Sequence, residues 1–349
     1  MQRRNFLRLG AAAAAAAVLR RASAATNGAD AVPWRSFEVR YEVELAGDGP
    51  ATLWIPLPQD APGWQTALAT RYEGNFSQAG IHRDAKYGAR MFAARWEGEG
   101  ARHAIVTTHA MTCDRAAPAA PAAGENPDLY LLPTPHMPLD GVVRERSREI
   151  TRGLHDPMQC AQAVYEWVVD NTFREPKVLG CGTGDIKAML ENGTLGGKCA
   201  DINALFVGLL RAAGVPAREV YGLRVADSRQ FKSLGKSGDV SRAQHCRAEF
   251  FVAGRGWVAA DPADVRKAVL EENLPVDDAR VAALRKKLFG QWEMNWVAFN
   301  SARDFTLVPD AGERVNYLMY PNVRDARGLR EGLVPDKFSY RISARELNV

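Results

Sequence analysis

The chain has 349 residues, 46% of them hydrophobic, enough to bury a large core and, by length alone, to build two domains. Its formal charge of +4 resides in the first 24 residues, which hold five of the 45 Lys and Arg and no acid, leaving 40 cations against 41 Asp and Glu. That near-neutral remainder argues against nucleic-acid binding, and six scattered histidines with no CxxC or HExxH pattern argue against a metal centre, so neither metal nor cofactor is expected.

Arg3-Arg4, then Phe6-Leu7, an apolar run from Leu9 to Leu19 and the small-residue site Ala22-Ser23-Ala24 have the pattern of a twin-arginine signal peptide over residues 1–24. The run of 11 residues is too short and too weakly apolar to span a bilayer. The expected protein is therefore periplasmic or otherwise exported. Its partners are the twin-arginine export machinery and a peptide or protein substrate, with no stable membrane insertion after cleavage.

Residues 33–113 read as a β-rich N-terminal domain. Phe37, Val39, Tyr41, Val43 and Leu45 alternate with charged residues, and Leu53–Leu57, Arg90–Trp96 and His103–Met111 are further strand candidates, so a β-sandwich is the natural packing. Trp54 and Trp96 are read as core. The Ala/Pro-rich stretch 114–128 reads as a linker or an exposed loop. The next domain, 129–325, opens with helices. Asp156-Pro157 caps one that carries Ala161, Val164, Tyr165 and Val168 on one face, with Trp167 also assigned to packing.

Gly196-Gly197-Lys198-Cys199 leads into a helix with Ile202, Leu205, Phe206, Leu209, Leu210 and Ala213 at helical spacing and Gly214 at its end; Ala204 and Val207 make it apolar nearly all round. A strand follows over Ala217–Val225, then a polar loop from Asp227 to Ser241 that is expected to rim the site. His245–Phe251 and Trp257–Asp261 read as a hairpin. A turn at 252–254 sets His245 opposite Asp261; a turn at 254–256 keeps them on one face, four positions apart. A charged helix over 277–288, Trp292, Trp296 and Phe299, and strands near 305–308 and 317–320 complete the fold, with the three aromatics as an alternative peptide groove. Residues 326–349 read as a C-terminal extension.

Cys199 at a helix start lies where unsatisfied N–H groups favour thiolate, and a paired imidazolium favours it further. His245 can exchange a proton with Cys199 and the leaving group while Asp261 orients the ring. Asp201 acts against the thiolate. Cys113, Cys160, Cys181 and Cys246 admit no disulfide, one or two; Cys246, next to the histidine, should point to the opposite face of the strand as a buried residue.

These residues resemble the transglutaminase-like superfamily of thiol acyltransferases and peptidases. Its Gly-x-Cys-x-Asp pattern corresponds to Gly197, Cys199 and Asp201, and its helix-end segment to Gly214-Val215-Pro216-Ala217-Arg218. Its histidine and aspartate segments correspond to His245, Glu249, Gly256-Trp257 and Asp261. The likeness extends from about Ser36 to Tyr320 and includes Trp54-Ile55-Pro56-Leu57-Pro58. It implies an α+β fold, a papain-like core whose nucleophile helix packs on an antiparallel sheet, preceded by a β-sandwich-like domain. It also implies attack by Cys199 on an amide and a thioester resolved by water or an amine, with the Cys199 N–H as one oxyanion donor. Arg247 stands where many relatives carry tryptophan, and Lys198 where the residue is often uncharged. Both are expected to bind substrate, of acidic character. The Arg247 departure also leaves open a non-catalytic peptide-binding or assembly module that retains the fold.

Overall fold

Three five-stranded sheets organise the computed structural model, which describes residues 33–47, 49–309, 312–333 and 339–348. The first sheet runs Gly238–Asp239, Tyr340–Leu347, Arg35–Leu45, Arg102–Thr112, Gln65–Gly74; the second runs Gly328–Glu331, Asn322–Asp325, Ala51–Pro56, Arg90–Trp96, Gln78–Arg83. All their pairings are antiparallel. Phe37, Val39, Tyr41 and Val43 from the first and Leu53, Ile55 and Phe92 from the second share one buried core, because alternation sends the apolar half of each strand inward.

The chain is not partitioned as its order suggests. Strand Tyr340–Leu347, within the stretch read as an extension, pairs with Arg35–Leu45 along eight positions, and Asn322–Asp325 pairs with Ala51–Pro56. Residues 34–349 accordingly form one compact unit. Nor is 114–128 a free tether: Ala119 and Trp257 exchange two backbone hydrogen bonds of 2.8 Å, and Arg115 exchanges two with Trp292. The twin-arginine segment lies outside the described residues. Among those described, no helix is long and apolar enough to cross a membrane.

The third sheet runs Phe289–Gly290, Gly256–Ala260, Gln244–Val252, Ala217–Arg224, Trp296–Asn300. Helix Cys199–Ala212 packs on it through Leu205, Phe206 and Leu209 against Ala217, Cys246, Ala248 and Phe250, and is buried from Cys199 to Arg211. The expected helix near 277–288 is present as Ala279–Lys287. A helix over Pro262–Glu271, capped by Asp261, joins the expected elements. Trp292, Trp296 and Phe299 are fully buried, so they form core and not a groove.

Candidate active site

Cys199 begins its helix because the preceding backbone is held from both sides. Asp201, at the third helical position, accepts the N–H groups of Lys198 (2.9 Å), Thr183 (3.0 Å) and Gly184 (2.9 Å). One carboxylate thus ties the loop around Cys181 to the helix start, and the Ala200 N–H closes the join by donating to the Cys181 carbonyl at 2.9 Å. A Cβ on Gly197 would lie 2.4 Å from that of Asp201, and one on Gly182 would overlap its carboxylate, so both positions need glycine for close approach. Burial pushes Asp201 upward against the backbone N–H bonds that pull it down, and the Cys199 charge adds to the upward push. Its main task is to shape the loop.

The hairpin adopts neither anticipated register. Val252 pairs with Gly256 and Ala248 with Ala260, which sets Asp261 across from Arg247, two positions from His245 and on the same side. Asp261 leaves the strand as the cap of helix Pro262–Glu271, and that turn brings its Oδ2 to 2.8 Å from His245 Nε2. Its Oδ1 accepts the Asp264 N–H (3.1 Å) and the Asn203 amide (3.3 Å). Asn203, one turn beyond Cys199, also donates to the Cys246 carbonyl at 2.8 Å and so pins helix, histidine strand and carboxylate together.

Asp264 was not anticipated. Its Oδ2 lies 3.4 Å from His245 Nε2, while its Oδ1 accepts Arg224 Nη2 at 2.5 Å. Burial and Arg224 push His245 down, but Asp264 and Asp261 outweigh them and bring it up to about 9. Cys199 is held well below the usual thiol range: hydrogen bonds from Cys181 and Cys246 favour the thiolate, burial opposes it, and His245 adds a hydrogen bond and its charge. Both shifts favour the charged forms, thiolate and imidazolium, and Nδ1 is the ring nitrogen that neither Asp261 nor Asp264 engages. Cys246 is buried as expected, yet its side of the strand is the Cys199 side. All five cysteines are free thiols.

Arg247 does not bind substrate from this position. It is 2% exposed, donates to the Glu293 carbonyl at 2.9 Å, approaches Asp261 Oδ2 at 3.6 Å and stacks over Trp296 and Trp292. Behind the site, three negative groups (the Cys199 thiolate, Asp261, Asp264) meet three positive ones (His245, Arg224, Arg247). His245, Asp261 and Asp264 offer ligand atoms within 4.8 Å of one another, the one such cluster among the described residues. Arg224 and Arg247 already face those carboxylates, so a further cation there would be repelled. Lys198 does line the open side, a cleft of about 1250 Å³ whose lining also includes Cys199, Cys181 and His245. The 227–241 loop forms part of its wall, as expected.

A buried thiol at a helix start, paired with an imidazole on the adjoining antiparallel sheet, defines a papain-like α+β thiol site. Residues 144–262, which contain Cys199, His245 and Asp261, match the transglutaminase-like superfamily. An uncharacterized protein of Haemophilus influenzae is 36% identical over 328 residues, covering 87% of this chain and 89% of its own. A crystal structure of a candidate cysteine protease from Cytophaga hutchinsonii shares the fold, with a TM-score of 0.56 at 13% identity over 91% of this chain and 92% of that one. The chain belongs to the transglutaminase-like superfamily.

Proposed function

We propose that the protein is an exported thiol enzyme that acts on peptide or protein amides through Cys199, His245 and Asp261. The observation that carries this is the geometry: Cys199 at a helix start and His245 line one cleft, Asp261 Oδ2 lies 2.8 Å from His245 Nε2, and in that setting the thiol is held low and the imidazole up to about 9. In the reaction, the Cys199 sulfur attacks the carbonyl carbon and the Cys199 N–H, without an intrahelical acceptor at the first turn, faces the developing oxyanion. As the C–N bond breaks, Nδ1 of His245 gives its proton to the leaving amine, and a thioester remains. His245 then takes a proton from water, which releases a carboxylic acid, or from an amine, which forms a new amide. Asp261 keeps the ring oriented throughout. The paired arginines of residues 1–24 support export.

Incubation with a peptide library followed by intact-protein mass spectrometry should show a covalent adduct equal to an acyl fragment, absent in Cys199→Ala. Added alkylamine in excess over the acyl-enzyme separates hydrolysis from transfer. A folded Cys199→Ala protein that retains turnover would overturn the assignment. The competing reading, a binding module, drew on Arg247 as an altered pocket wall, and Arg247 is not part of the wall.

A further inference from the structure

The open side of the site is strongly unbalanced in charge. Nine Lys and Arg line the cleft, Arg224 among them already answered by Asp264 behind it, against four carboxylates. Those carboxylates are already engaged: Glu271 lies 3.3 Å from Arg174 and 3.7 Å from Lys267, Asp239 accepts Ser241, Asp227 accepts Ser237, and Glu272 accepts the Ser233 N–H at 2.7 Å. Lys177, Lys198, Lys232 and Lys236, by contrast, have no ion-pair partner among the described residues. Lys177 and Lys198 stand on the stretch of wall that carries Cys181 and Cys199; Lys232 and Lys236 line the same cleft from the 227–241 loop. In a chain that is near-neutral beyond its first 24 residues, such a cleft concentrates anions at the sulfur. Val178 and Leu179, the latter 60% exposed, give the same wall an apolar strip that a bare polyanion would leave unused and a peptide would cover.

Resting on the function proposed above, we infer that the acyl donor is a peptide bearing several carboxylates near the reacting amide, held by Lys177 and Lys198 beside the sulfur and by Lys232 and Lys236 of the 227–241 loop. Partly buried Lys267, drawn down to about 8 by desolvation and by Arg224, agrees with an excess of positive charge there.

Binding and turnover are to be read separately. Fluorescein-labelled Glu-rich peptides and their Gln isosteres are titrated onto Cys199→Ala protein, and the same peptides are given to the active enzyme. The Glu peptide should bind about tenfold or more tightly than its isostere, with the advantage shrinking as salt rises. The Lys177→Ala/Lys232→Ala/Lys236→Ala variant should lose most of that advantage, through KM in turnover, while its affinity for the Gln peptide stays unchanged. Equal affinity for both peptides, or a preference untouched by the triple variant, would overturn the inference even if acylation of neutral peptides upholds the thiol enzyme. Selective binding without any acylation would leave a cleft for acidic peptides but overturn both the acyl-donor assignment and the enzyme.

Discussion

Asp264 shows how one residue sets the working range of its neighbour. A histidine buried this deeply would ordinarily be neutral, since desolvation disfavours its cation. Two carboxylates reverse that and hold it charged up to about 9. Because this is a raised value, the imidazolium is present below it and lost above it, so kcat/KM for amide cleavage should fall on an alkaline limb near 9 as the leaving-group acid disappears. In Asp264→Asn that limb should move down by about one pH unit or more, since a charge is lost and Arg224 is left facing the ring. A pH-rate profile identical to that of the unaltered enzyme would remove Asp264 from the site. Sequence marked Cys199, His245 and Asp261 by type and order. Asp264 and Asn203 carried no comparable mark, although their spacings from Asp261 and Cys199 are those of one helical turn. Arg247 was placed at the substrate from its charge and its position in the family pattern, neither of which shows that it packs on Trp292 and Trp296 and donates to the Glu293 carbonyl.

At the scale of elements, the site is a join between two helix starts and one strand. The strand, helix and loop around Cys199 were legible because apolar periodicity and Gly214 marked them. Helix Pro262–Glu271 was not read, although Asp261-Pro262 repeats the cap-and-proline signal used at Asp156-Pro157. Assigning Asp261 to the imidazole alone hid its capping role: its Oδ2 meets His245 while its Oδ1 accepts the Asp264 N–H. The hairpin register fell between two options because three glycine-containing turns were sterically open in 252–256, and the pairing set by burial on both faces selected 253–255. The tightest part of the join is Gly197. Its substitution by Ala places a Cβ 2.4 Å from that of Asp201. It should cost about 1–3 kcal/mol in urea unfolding and slow Cys199 labelling, as the 181–184 loop is displaced. Unchanged stability with unchanged labelling would show that the loop and helix start are not coupled as described.

Across the whole molecule, strand pairing overrides chain order. The β-sandwich was legible from alternation in Phe37–Leu45, but its completion by residues 322–347 was not, since strand partners hundreds of positions apart leave no local trace. Five thiols in one chain supply the sharpest internal comparison. Burial pushes Cys113 up to about 11 and raises Cys160; Cys181 and Cys246 rise as well, through their bonds to Cys199 and through burial. Only Cys199 is lowered. The measurement that tests this most directly is the rate of alkylation against pH, with peptide mapping of every cysteine, in the unaltered protein and in His245→Ala. The account predicts that Cys199 is labelled first, with a rate nearly flat from mildly acidic pH upward, and that in His245→Ala its reactivity at acidic pH is lost. Labelling of Cys199 that rises only near the ordinary thiol value of about 8.5, or that is indifferent to His245, would contradict it.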